Sequence, residues 1–252
     1  MKHLVYCILS ETELPCDGLP VGVDGDTVSL LCEGGLAAVH SIVSEGRGSP
    51  DAVETLRNTR ISRVKAYASV IDALHRTCTV LPMRYGCLLP TEAHISELLR
   101  ERRDDFLSCL DEVRGCVEMV LYVPLEDLEV LSGEEQLHAG LRSTSQRDIR
   151  SPGIAHLAAL KRHYMQVEAS ARAVAASTEQ CRSAFEGLFV KWKSEFSPGA
   201  PPSCQTATLR LFFLVRREDQ QDFVETHANL VLHGALRGLL SGPWPPHNFV
   251  PT

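Results

Sequence analysis

Leu4-Val5-Tyr6-Cys7-Ile8-Leu9-Ser10 is the stretch on which the reading of this chain turns. An apolar run follows Lys2-His3 and is closed by Glu11 and Glu13. A secretory leader shows the same order of charge and apolar residues, but its apolar run is longer and ends in small residues. Glu13-Leu14-Pro15-Cys16 also lacks the small residues that precede a lipoprotein cysteine. The run therefore reads as a buried first strand. Neither it nor residues 211–215, another long apolar run, approaches the ~18 residues of a membrane span.

Working outward, Gly18, Pro20, Gly22 and Gly25 mark a turn-rich stretch. Residues 28–31 and 36–43 are strand-like and flank Glu33-Gly34-Gly35, a hairpin-type turn. Pro50-Asp51 opens a helix to about Arg76, with Ile61, Val64, Ala68, Ile71 and Leu74 at steps of three and four. Residues 79–83 form a strand that Pro82 confines to an edge or bends. Thr91 is placed to cap a second helix reaching about Glu112, and residues 116–123 form another strand. One sheet covered by two helices is expected, most simply a modified ferredoxin-like α+β sandwich over 1–125. Residues 126–153 are acidic and polar and read as a linker. From Ile154 to Phe196, residues 157, 160, 164, 167, 171, 174, 178, 181, 185, 188 and 192 alternate steps of three and four. That spacing predicts a long helix with a coiled-coil-like seam, either continuous or broken near Ser177, where Ser177 and Gln180 form a capping-box pattern. After the break at 198–202 come a strand over 206–215, a helix over 218–232 ended by Gly234, and a last strand over 235–240. The second domain, 154–252, is thus a helix-rich α/β unit with a Pro-rich tail.

Composition narrows the function. The chain has 252 residues and a net charge of −7, with 44% hydrophobic and 23% charged residues. Such a chain folds around a core. It lacks the cationic surface that sequence-independent nucleic-acid binding needs. Residues 1–125 carry net −6, 126–150 net −3 and 151–252 net +2. The nine cysteines are scattered, with no C-x-x-C and no zinc-finger spacing. They behave as small hydrophobes in a reducing cytoplasm.

Catalytic and cofactor motifs do not emerge. There is no nucleophile elbow, no phosphate loop and no H-E-x-x-H, and His156 and His163, one heptad apart, do not make a metal site alone. No catalytic, cofactor or metal residue is assigned. Two segments stand apart. In residues 80–86, Pro82, Arg84, Tyr85 and Gly86 direct a cation and a ring at a sheet edge. Either Arg84 pairs with a nearby acid while Tyr85 packs, or the pair forms a recognition surface. In residues 242–250, Gly242, Pro243, Trp244, Pro245, Pro246 and Phe249 form either a tail that plugs a core or an exposed docking segment. The tail reading is preferred.

Taken together, these segments resemble the gas vesicle accessory proteins of the F and L type. Residues 4–9 look like that family's "LYGI"-type strand, with Cys7 where Gly is usual. Leu36-Ala37-Ala38-Val39, with Ser41 behind, resembles "laAvvS", and residues 80–86 are similar to "VLPLRFG". Gly115-Cys116-Val117-Glu118 resembles "G-x-x-E". Residues 151–157 resemble "S-x-G-x-x-Y-L" through Gly153 and Leu157, with His156 where an aromatic is usual. Residues 242–250 resemble "GPWPPYSFV", with His247 and Asn248 as departures. The family's "H-x-x-V" has Tyr67 in the place of its histidine, so any role of that histidine does not carry over.

The resemblance implies a non-enzymatic, cytoplasmic protein associated with gas vesicles, the shells that give microbes buoyancy. Its implied partners are the small hydrophobic shell protein, whose aggregation it would limit during nucleation, and other gas vesicle accessory proteins, with no nucleic acid or lipid membrane. A modified ferredoxin-like first domain and a helix-rich second domain are implied as well. The segment 80–86 is the expected contact edge. A ferredoxin-like regulatory protein that binds a small molecule is the alternative, on fold analogy.

Overall fold

The computed structural model describes residues 2–15, 18–43, 53–125, 152–197 and 207–250. The chain packs as two compact units. The first comprises Met1–Met119, Leu214–Glu218 and Gly242–Thr252; the second comprises Val120–Phe213 and Asp219–Ser241. Helices and antiparallel strands are mixed, an α+β architecture. No described helix is long and apolar enough to cross a membrane.

The opening run is β1 (Lys2–Ser10), buried along almost its whole length. It lies between β3 (Leu36–Val43) and β4 (Val80–Pro82), and β2 (Val28–Glu33) lies outside β3. The two-residue β5 (Leu88–Leu89) also pairs with β1, and every pairing is antiparallel. The register passes from Val5↔His40 to Cys7↔Val39, which leaves Tyr6 as the extra residue of a bulge. The bulge resets the alternation, so Leu4, Tyr6, Cys7 and Leu9 all join one core cluster.

That cluster is completed by α1 (Val53–His75) through Tyr67, Val70, Ile71 and Leu74. The expected apolar stripe holds only at the C-terminal end of α1, because Ile61 and Val64 are exposed. The second expected helix is two: α2 (Glu92–Glu101) and α3 (Arg103–Val113) meet at Arg102, whose φ of −106° and ψ of 20° leave the helical region. Their buried residues are Ile95, Leu99, Phe106, Cys109, Leu110 and Val113, and both helices pack on the sheet. Thr91 occupies the N-cap position of α2, but its hydroxyl meets His94 Nδ1 at 2.8 Å instead of capping a backbone N–H.

Residues 116–123 do not join the first sheet. They belong to β6 (Cys116–Leu125), in a second sheet with β7 (Lys191–Ser197), β8 (Ala207–Arg216) and β9 (Leu239–Trp244), in the order β7-β8-β6-β9. Apolar patterning identifies β6 as a strand but not the sheet it joins. The long helix is α4 (Pro152–Ala184), and it runs through Ser177 without a break. Thr178 Oγ1 donates back to Val174 O at 2.7 Å, as hydroxyls do inside helices. The helix does not reach Phe196. Phe185 is fully buried, Gly187 has a φ of 89°, and residues 191–197 are the strand β7. Phe185 stacks on Phe223 of α5 (Gln220–Leu232) at 4.3 Å and contacts Phe213 of β8 at 5.6 Å. This aromatic core in the second unit fixes the end of α4. Gly234 follows α5 with a φ of 68°, as predicted. Of the expected linker, residues 126–151 lie outside the described residues, and Pro152 and Gly153 open α4.

Candidate functional site

Along the outer side of β1, β4 pairs with residues 7–9 and β5 with residues 3–4. The connection over residues 83–87 leaves the sheet between them. Pro82, buried opposite Cys7, ends β4 and has no N–H with which to extend the ladder. Both ends of the connection return to β1: Met83 N donates to Tyr6 O at 2.8 Å, and Val5 N donates to Cys87 O at 3.0 Å. Cys87 N donates to Arg84 O at 3.0 Å and closes a turn. Gly86 is its third residue with a φ of 93°, the type II pattern that a side chain resists.

Beneath the turn lies a column of three tyrosines. Tyr6 is fully buried, with Ser41 Oγ 2.9 Å from its hydroxyl and Val23 N donating to it at 3.0 Å. Tyr67 stacks on Tyr6 with ring centroids 5.1 Å apart. Its hydroxyl sits among three carbonyls, with Met83 O at 2.8 Å and Val5 O and Tyr6 O at 3.1 Å. Burial pushes its ionisation well above the ordinary tyrosine range, with further contributions from Cys7, Cys87 and the other two tyrosines. It is therefore a neutral donor at any working pH. Tyr85 meets Tyr67 edge-on at 5.2 Å and is 41% exposed. Arg84 is exposed, and its guanidinium makes no ion pair or side-chain hydrogen bond among the described residues. The turn thus presents a cation and the outer part of a ring that is fixed from below.

The structure also joins two segments the sequence treats separately. Glu118 of β6 is buried and accepts from Asn248 N at 2.8 Å and from Asn248 Nδ2 at 2.6 Å. Gly242, with a φ of 131°, lies so close that a Cβ there would come within 2.8 Å of Glu118 O. Pro245, Pro246 and Phe249 are buried, and the Cys109 thiol donates to Phe249 O at 3.5 Å. Phe249 plugs the core of the first unit, whereas Pro243 and Trp244 are exposed. Gly153 and Leu157 both lie on α4; the side chain of Leu157 is outside the described set. The described cysteines are free thiols, and Cys7, Cys78, Cys109, Cys116 and Cys181 are buried.

The first unit also contains a cleft of about 340 Å³ lined by Glu13, His75, Arg76, Arg114 and Arg217 among others. Some of its polar groups satisfy one another, whereas the buried His75 Nδ1 has no hydrogen-bond partner among the described residues. Glu13 pairs with Arg114, and Arg217 donates to His75 Nε2 at 3.2 Å and to the His75 carbonyl.

Residues 2–251 match the model of the family described as gas vesicle synthesis protein GvpL/GvpF. The chain belongs to this gas vesicle protein family. It is 28% identical to gas vesicle protein L of Streptomyces sp. over 246 residues, covering 93% of this chain and 89% of that protein. It is 27% identical to gas vesicle protein F of Streptomyces sp. over 264 residues, covering 99% of this chain and 100% of that protein. Among solved structures, it is similar to GvpF from Anabaena sp., with a TM-score of 0.68 at 14% identity over 100% of this chain and 96% of that one. GvpF from Microcystis aeruginosa gives 0.65 at 14% identity over 100% and 99%. These likenesses establish the fold. Family membership assigns the chain to gas vesicle formation, in a family that is structural or assembly-related rather than catalytic.

Proposed function

We propose that this protein is a cytoplasmic gas vesicle assembly factor and minor structural component. It binds the small hydrophobic shell protein during nucleation, limits its aggregation, and works beside other accessory proteins of the vesicle. The reading rests on family membership together with one observation: Arg84, without an ion pair among the described residues, and Tyr85, partly exposed, crown a turn anchored over Tyr6 and Tyr67. A subunit that polymerises through apolar strands must be held by a surface that covers apolar groups or a strand edge until the growing shell takes it over. A preformed ring beside a cation offers such a contact at low ordering cost.

Two finer readings of the fold belong with this proposal. The first unit is a modified ferredoxin-like sandwich, a reading supported by the strand order β2-β3-β1-β4 with α1 preceding β4. The middle of α4 is a coiled-coil-like seam available to a partner helix: Ala171 is exposed there, and Val174 and Thr178 are half-buried.

The test is co-purification of the shell subunit with the full-length chain. Arg84→Glu combined with Tyr85→Ala is expected to abolish capture while the chain stays folded, with the thermal midpoint lowered only by the loss of one partly buried ring. Full capture by this double variant overturns the proposed contact edge. The full chain is required, because Leu214–Glu218 and Gly242–Thr252 pack with the first unit.

A further inference from the structure

Three side chains distant in sequence converge on the sheet face opposite α1. His3 lies on β1 and pairs with Ile42, and His40 lies on β3 and pairs with Val5. The two histidines are therefore diagonal neighbours on one face of the sheet. Glu92 begins α2, three residues beyond Leu89, which pairs with His3. His3 Nδ1 and His40 Nδ1 are 3.2 Å apart, and one ligand atom from each of His3, His40 and Glu92 lies within 4.8 Å of the other two.

Buried imidazoles are costly unless their nitrogens are satisfied. An N–H···N bond between the rings satisfies one Nδ1 pair but gives the Glu92 carboxylate no part. A bound cation accounts for all three. Two nitrogens on a tetrahedral ion with metal–nitrogen bonds of about 2.0–2.1 Å lie about 3.3 Å apart, close to the observed separation. Two imidazoles and one carboxylate form a zinc-type donor set, whereas calcium and magnesium prefer oxygen throughout. His3 and His40 are buried and Glu92 is exposed, so the site sits at the rim of the unit, where water can complete the coordination. Glu92 is exposed at the start of α2, with its carboxylate within 4.8 Å of the imidazole ligand atoms.

We propose that His3, His40 and Glu92 hold one zinc-type divalent cation, with water as the fourth ligand, which fastens the first turn of α2 to β1 and β3. This site is independent of the contact edge at residues 83–87. It was hidden in the sequence because its ligands are separated by tens of residues and lie on three elements.

The test uses the full chain freed of metal by a chelator. Zn²⁺ is titrated by calorimetry, Co²⁺ is followed by visible absorption, and thermal unfolding is recorded with and without Zn²⁺. We expect one-to-one saturable binding, a tetrahedral Co²⁺ band without thiolate charge transfer, and a higher thermal midpoint with Zn²⁺. Loss of outer-shell partners alone weakens metal sites by ~10–100-fold, so Glu92→Gln, a ligand substitution at an exposed position that keeps the fold, should cost at least about tenfold in Zn²⁺ affinity. His40→Gln should abolish binding. Absence of one-to-one binding overturns the proposal, as does Zn²⁺ affinity undiminished in Glu92→Gln.

Discussion

Tyr67 is the residue whose meaning changes most between sequence and structure. In the sequence it stands where the resembling family has a histidine, with no role of its own. In the structure it is the sole side chain that meets Val5 O, Tyr6 O and Met83 O among the described residues. Tyr67→Phe keeps the ring stack and removes the donor, so it should cost about 1–2 kcal/mol, the range for a buried partner left unsatisfied. Chemical denaturation of the full chain reads this directly. Glu118 is the other decisive side chain. Glu118→Ala removes the carboxylate that accepts from Asn248 N and Nδ2, and a loss of about 1–3 kcal/mol is expected for deleting a buried hydrogen-bond partner. An unfolding midpoint unchanged by Glu118→Ala would contradict the role assigned to the closing tail. Residues 118 and 248 were each legible as motif positions. Their pairing was not, because a hydrogen bond across 130 residues leaves no periodic trace.

At the scale of elements, the length of α4 shows how packing overrides pattern. Steps of three and four continue to Trp192, yet the helix stops at Ala184. Phe185 gains more by stacking on Phe223 and meeting Phe213 than by occupying one further seam position. Phe185→Ala should therefore destabilise the chain by about 3–5 kcal/mol, the usual cost of emptying a buried phenylalanine site. Thermal or denaturant unfolding provides the measurement, and the loss should appear as a shifted transition. The same logic divides the second expected helix. Arg102 leaves helical geometry with its guanidinium 4.9 Å from the Phe106 ring centroid, and Arg103 Nε donates to Gly34 O at 2.7 Å. Side-chain anchorage of this kind is absent from any helical period.

For the whole molecule, acid should be the sensitive side. His75 is buried, accepts from Arg217, and is held at about 4 by burial first and then by Arg217 and His247. In the unfolded chain His75 titrates at about 6.5. The unfolded state thus binds more protons between that value and the folded value. Stability is complete above about pH 6.5 and falls as the pH drops toward 4. Thermal midpoints measured from pH 7.5 to 4.5, ranges chosen about the ordinary histidine value, should decline on the acid side. His75→Gln should flatten part of that slope; a slope identical to that of the parent would rule out the assignment.

By itself, the sequence determined the α+β class, the strand nature of residues 4–9, the Gly34-Gly35 turn, the position of Gly234 after a helix, and the family. All of these depend on local periodicity, turn chemistry or short motifs, which act over a few residues. Tertiary structure alone decided that β6 leaves the first sheet, that the core Phe249 plugs is that of the first unit, and that Tyr6, Tyr67 and Tyr85 form one column. It also decided that His3 and His40 meet. Those outcomes depend on which surfaces exclude water together and on a bulge at Tyr6 that changes which side chains face the core. Burial and pairing between distant segments follow from the free energy of the packed chain, and a linear pattern does not encode them in any single window.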